Sequence, residues 1–145
     1  MFAEIVALIC TGLFAGAALY VSLVEHPARL ACGTDVALAE WRPSYKRAAI
    51  MQVILAIGGV LSAIGAYMSG RGTSVLVAGV VLATVVPWTL IIIMPTNRQL
   101  LDPSRVSSTP DTDLLLKKWG RLHTIRTVAS LLALVILAGN ILGYL

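Results

Sequence analysis

The sequence predicts an all-α integral membrane protein, a bundle of four transmembrane helices with a short interfacial helix in the first connection. Three observations predict it. The chain is 58% hydrophobic and 12% charged, where a soluble domain carries about 25% charged residues. Four apolar runs each reach the roughly 20 residues that cross a hydrocarbon core of about 30 Å. The basic residues are gathered in two of the three connections rather than spread along the chain. A length of 145 residues makes one domain, 1–145, the natural organisation.

The runs place helices at about 2–24, 44–68, 74–94 and 110–145. In lipid the backbone must satisfy its own hydrogen bonds, so such runs are helical, and the alternation of a membrane β-barrel is absent. The first run lacks a basic leader and is too long for a cleaved signal peptide, so it counts as a span. The second connection, Ser69 to Thr73, is a tight turn. The first (Glu25 to Arg47) and third (Pro95 to Arg126) are long and polar, and with four spans they share one side of the membrane. Within the first, Thr34 to Trp41 reads as the short capped interfacial helix, and Pro43 opens the second long helix. In the third, Asp102-Pro103 and Ser107-Ser108 read as loop, and Thr109-Pro110-Asp111 as a helix start. A fourth helix running unbroken from there outlasts the bilayer and projects from it or bends at Gly120. Pro87 is expected to kink the third helix. Gly12 and Gly16, and Gly139 and Gly143, form two GxxxG pairs that predict close helix approach.

Ten of the eleven Lys and Arg residues lie in the two long connections, and only Arg71 lies opposite. The positive-inside rule puts those connections in the cytoplasm and both termini outside, in the cell's inner (plasma) membrane. The net charge of +4 is accounted for by this bias and by attraction to anionic lipid, without nucleic acid. Cys10 and Cys32 sit at different depths, so no structural disulfide is expected, and there is no CxxC motif.

The chemically capable residues gather at the same end. Glu25 and His26 close the first helix, Tyr45, Arg47 and Gln52 open the second, Thr96 and Asn97 follow the third, and Trp119, His123 and Arg126 open the fourth. Tyr45, Gln52, Ala56 and Gly59 share one helix face, as do Trp119, His123, Arg126 and Ser130. Gln52 and Arg126 lie inside the membrane boundary, where an ionisable group faces the bundle interior with a partner; Glu25 is the expected partner of Arg126 or Arg47. Arg42, Lys46, Lys117, Lys118 and Arg121 read as topology charges, and Arg29 and Arg98 with them. Trp41 and Trp119 fit either an interfacial belt or a binding surface.

Four strings carry a family resemblance. They are Tyr20-Val-Ser-Leu-Val-Glu25-His26-Pro27-Ala28-Arg29; Trp41-Arg-Pro43-Ser44-Tyr45-Lys46-Arg47 with Met51-Gln52; Ile93-Met94-Pro95-Thr96-Asn97-Arg98; and Trp119-Gly-Arg-Leu-His123-Thr-Ile-Arg126. In this order and spacing the chain resembles the anthrone oxygenase-like family of small four-helix membrane proteins, long grouped as a domain of unknown function. The resemblance implies an O2-dependent oxygenase acting on a lipophilic aromatic, anthrone- or phenol-like, with no organic cofactor and O2 as co-substrate. On that reading His123 is the base, with His26 or Glu25 as second candidates. Arg126 stabilises the anion, Tyr45, Gln52 and Asn97 contact the substrate, and Trp41 and Trp119 stack on its ring. Two other readings stand beside it. One is a metal- or haem-binding redox protein, with His26, His123 and Glu25 as ligands. The other is a non-enzymatic accessory or lipid-binding subunit. The expected partners are a lipophilic small molecule and membrane lipid, with either self-association or a larger membrane complex open.

Overall fold

A computed structural model describes residues 1–106 and 108–144. They form four long helices, α1 (Phe2–Ala31), α2 (Thr34–Met68), α3 (Thr73–Leu101) and α4 (Pro110–Ile141), each long and apolar enough to cross a membrane. No strand occurs among the described residues. Each helix packs on the next and α4 closes back on α1, while the diagonal pairs barely touch. The result is the expected four-helix membrane bundle, in up-down order. Ser107, expected in a loop, and Leu145, expected at the end of the fourth helix, lie outside the described residues.

The helices are longer than the expected spans, at 30, 35, 29 and 32 residues. At 1.5 Å per residue they are about 44–53 Å long. The excess lies at the basic end, where most of the two long connections proves to be helix. Only Cys32 and Gly33 separate α1 from α2. The interfacial helix is therefore not separate: it begins at Thr34, behind Gly33 at φ +91°, and runs straight into the second span. Pro43, expected to open that span, lies inside α2. It forfeits the bond to the Ala39 carbonyl, a loss of about 3 kcal/mol in an isolated helix. The helix continues because Ala37, Leu38 and Trp41 just before it are buried in a core shared with α3 and α4, and packing outweighs the proline. Thr109 caps α4, accepting from the Thr112 amide, as expected, and α4 runs through Gly120 without a break.

Two helices carry wide turns. Val21–Glu25 in α1 and Trp88–Ile93 in α3 are π-helical, and each ends two residues before a proline, Pro27 or Pro95. A proline cannot donate to the carbonyl four residues back and its ring presses on that carbonyl; widening the turn relieves both. The irregularity expected at Pro87 is present as an interruption at Thr84.

Side-chain size changes along the bundle axis. At the end holding the termini the core is Ala7, Ala63, Ala66, Val75, Ala78 and Leu137. At the basic end it is Leu38, Trp41, Ile93, Leu100, Leu116 and Trp119. Small residues let helix backbones close, and large ones hold them apart. Close approaches between α2 and α3 fall at Gly79, where a Cβ would come 2.8 Å from Ala63 Cβ, and Gly59, where one would come 2.8 Å from Leu82 Cδ2. The GxxxG expectation fails at Gly16 and Gly143, where a Cβ would meet nothing within 4 Å; Gly143 instead takes the left-handed conformation that closes the end of α4, at φ +76°. Glu4, buried in α1, faces Arg71 across the terminal end at 3.5 Å.

Gly79→Ala therefore lowers stability by about 1–3 kcal/mol through overpacking against a Cβ that cannot swing away. Gly16→Ala holds or slightly raises it, because a helical glycine is replaced in open space. Thermal unfolding in detergent reads both, and equal melting temperatures for the two variants would contradict this packing.

Candidate active site

Above the alanine-rich half, the helices surround a partly open cavity of about 250 Å3. Phe14, Ala56, Val85 and Ile93 give it apolar walls. Seven of the nine expected site residues line it: Trp41, Tyr45, Gln52, Asn97, Trp119, His123 and Arg126. The two shared faces are real, with Gln52, Ala56 and Gly59 buried on α2 and Trp119, His123 and Ser130 buried on α4. His26 and Glu25 stand outside the lining.

The expected ion pair between Glu25 and Arg126 does not form, nor one between Glu25 and Arg47. Glu25 bonds Arg29, four residues on along α1, and accepts from Ser44 Oγ at 2.8 Å. Arg29, read from sequence as a topology charge, is buried and also reaches Glu40 at 2.7 Å, so a charged knot ties α1 to α2 beside the cavity. The signal was available: acid and base four residues apart on a helix are neighbours. Arg42, another expected topology charge, donates to the Leu100 and Asp102 carbonyls at 3.0 and 2.6 Å. It covers the open carbonyls at the end of α3.

Arg126 has no carboxylate partner among the described residues. One nitrogen donates to Gln52 Oε1 at 2.7 Å, its guanidinium carbon stands 5.2 Å from the Phe14 ring centroid, and its Nε is buried without a partner. A cation held by an amide and a ring face keeps its full positive potential for whatever enters the cavity.

His123 is held from one side. Its Nδ1 lies 3.1 Å from Ser22 Oγ, which lies 2.9 Å from Thr127 Oγ1, and Thr127 donates to the Ala18 carbonyl at 3.2 Å. A carbonyl can only accept. Running the chain backward from it makes Ser22 donate to Thr127 and accept from an Nδ1–H. That order leaves the His123 Nε2 with a free lone pair. Ser22, Thr127 and Phe14 were missed from sequence, since serine, threonine and one phenylalanine in an apolar run carry no distinguishing pattern.

Aromatic rings form the cavity's end wall. Trp41 stacks on Tyr45 at 4.9 Å and meets Trp119 edge-on at 5.6 Å. Trp119 in turn lies 4.9 Å from His123 and 5.0 Å from His26. Both indoles are buried, which removes the belt reading. The His26 Nε2 bonds the Leu116 carbonyl at 3.0 Å, and its ring fills the space beside Gly120, where a Cβ would lie 2.6 Å from it. Tyr45 accepts from Asn97 Nδ2 at 3.0 Å, joining α2 to α3. Among the described residues no three His, Cys, Asp or Glu side chains converge as a metal site would require. The alternative ligand set His26, His123 and Glu25 is not assembled: His26 is turned to a backbone carbonyl and Glu25 is taken up by Arg29 and Ser44. Both cysteines are free.

These features define a class: a four-helix membrane bundle with an apolar cavity between its helices that carries an imidazole and an uncompensated guanidinium. A family model described as anthrone oxygenase matches residues 41–136, about two thirds of the chain, and the chain belongs to that family. No curated protein and no solved structure matches it.

Replacing Arg29 with alanine is expected to cost about 3 kcal/mol, the low end for a broken buried pair, because Glu25 and Glu40 keep some contact with solvent. Arg98→Ala, at an exposed position, stays within about 0.5 kcal/mol. Unfolding in detergent distinguishes them, and an indifferent Arg29→Ala would make the knot incidental.

Proposed function

We propose that the protein is an O2-dependent oxygenase that converts an acidic methylene of a lipophilic, anthrone-like aromatic to a ketone inside this cavity. The observation that carries the reading is Arg126, a cation without a carboxylate, on the same apolar cavity as the unencumbered nitrogen of His123. Family membership supports the oxygenase class. The cavity, at about 250 Å3, suits a compact fused-ring molecule, being just below the roughly 300–1,000 Å3 of sites for drug-sized ligands.

The chemistry balances as substrate CH2 plus O2 giving C=O plus water. His123 Nε2 takes one proton from the methylene, leaving an electron-rich enolate. Arg126 stabilises that anion, with the Tyr45 hydroxyl as a further donor toward its oxygen. The enolate passes an electron to O2, and the two radicals join in a C–O bond. The peroxide regains a proton from His123. The second hydrogen then leaves the carbon as a proton while the O–O bond breaks, so one oxygen stays as the ketone and the other departs as water. Trp41 and Trp119, set edge-on to each other, form an aromatic corner against which the rings lie. Glu25 and His26 act at a distance, by holding α1 against α2 and α4.

His123→Ala is expected to lower anthrone turnover in detergent about 10^2–10^4-fold, and Arg126→Gln about 10^2–10^3-fold. A His123→Ala enzyme working at the wild-type rate would remove the imidazole from the reaction.

The basic end, and with it the aromatic end of the cavity, faces the cytoplasm of a plasma-membrane protein, as the charge bias indicates. Cys32 is exposed at that end and Cys10 is partly buried within α1. A membrane-impermeant maleimide should label Cys32 in inverted vesicles and leave it untouched in spheroplasts; the opposite pattern would reverse the orientation.

A further inference from the structure

The cavity is not closed on all sides. Four of its lining residues are also exposed on the outer surface of the bundle: Val53 and Ile57 on α2, and Val86 and Leu90 on α3, between 45% and 59% accessible. Each pair is spaced i, i+4, so each presents one stripe, and the two stripes flank the seam between α2 and α3. That seam is shut at both ends. On the terminal side α2 and α3 press together at Gly59 against Leu82 and at Gly79 against Ala63. On the basic side the Asn97 to Tyr45 hydrogen bond bridges them at 3.0 Å. Between those closures α2 packs against neither the Val85–Pro87 turn nor the π-helical Trp88–Ile93 segment to any extent. About 14 residues of α2 separate Gly59 from Tyr45, roughly 21 Å of helix. The four exposed residues themselves, Val53, Ile57, Val86 and Leu90, lie within the apolar runs, so the opening faces lipid acyl chains and not water.

We propose that this seam is a lateral window through which a flat, weakly polar aromatic passes directly between the bilayer and the cavity. The proposal deepens the oxygenase reading, since it rests on the cavity being the substrate site. Its physical basis is that a molecule of this class partitions into hydrocarbon. The rim it meets is wholly aliphatic, so no polar group loses water during entry. The irregular backbone of α3, interrupted at Thr84 and π-helical over Trp88–Ile93, lies at this depth. Wide turns of this kind recur at functional sites. Polar atoms on the substrate meet polar partners only after the rim is passed, at Gln52, Arg126 and His123.

The test uses benzophenone dissolved in the membrane of proteoliposomes and activated by light, with labelled residues mapped by mass spectrometry. In the wild-type protein, label is expected on the rim and on the enclosed Ile93, which is 1% exposed. The double variant Ile57→Phe with Val86→Phe narrows the window and should cut labelling of Ile93 at least tenfold. The pair Leu61→Phe with Val80→Phe, equally lipid-facing but away from the seam, should leave it unchanged. Val53→Ala with Leu90→Ala, which widens the opening, should raise it, and keeps the test decisive if the phenylalanine variant does not fold. Undiminished Ile93 labelling in the narrowed variant, or no Ile93 labelling in the wild type, overturns the window. Anthrone turnover measured on the same preparations separates the two ideas. A protein labelled as expected but unable to oxidise anthrone keeps the window and loses the oxygenase reading.

Discussion

Everything at the basic end follows from how α2 and α3 meet at the other. Alanine and glycine at Ala63, Ala66, Ala78 and Gly79 bring these helices into backbone contact. Two straight rods pinned at one end can either stay in contact throughout or diverge. Here Trp41, Trp119 and Leu116 occupy the far half of the core and forbid contact. In water such divergence would expose apolar walls and collapse. In a bilayer, hydrocarbon outside and hydrocarbon-like walls inside are nearly equivalent solvents, so an opening between helices costs little of the hydrophobic term that closes soluble cores.

The polar groups are then sorted by what they can afford. Glu25, Arg29 and Glu40 neutralise one another and knit two helices. Arg126 is left with an amide and a phenyl ring. A buried cation that lacks a counter-charge is a poor structural device, because its desolvation is not repaid by a Coulomb partner. It is a good device for binding a transient anion, whose stability then depends on the site alone. The serine and threonine hydroxyls behind His123 serve the same end, since they fix which ring nitrogen carries the proton.

The helices, their number and the gathering of reactive residues at one end were legible in the sequence because each depends on local composition and helical period. The faces Tyr45–Gln52–Ala56–Gly59 and Trp119–His123–Arg126–Ser130 were legible for the same reason. Partner choice was legible only in part. The i, i+4 spacing of Glu25 and Arg29 offered that pair, but the π-helical turn Val21–Glu25 that ends at Glu25 is not announced by residue identity. The continuity of α2 through Pro43 was hidden likewise: proline signals a boundary locally, and only the burial of Trp41 and Leu38 against other helices overrides it. The GxxxG pairs misled because the pattern marks where backbones could touch, and which glycines actually do is decided by helix rotation.

The His26 ring rests in a notch made by the missing side chain of Gly120, on a different helix and 94 positions away in the chain. The two sites thus share one volume. A β-carbon at position 120 would force the imidazole at 26 to shift or be lost, or α1 to move away from α4. The constraint runs one way: a smaller residue at 26 leaves the glycine free to change afterwards, so the order of the two changes is set by which of them holds the volume.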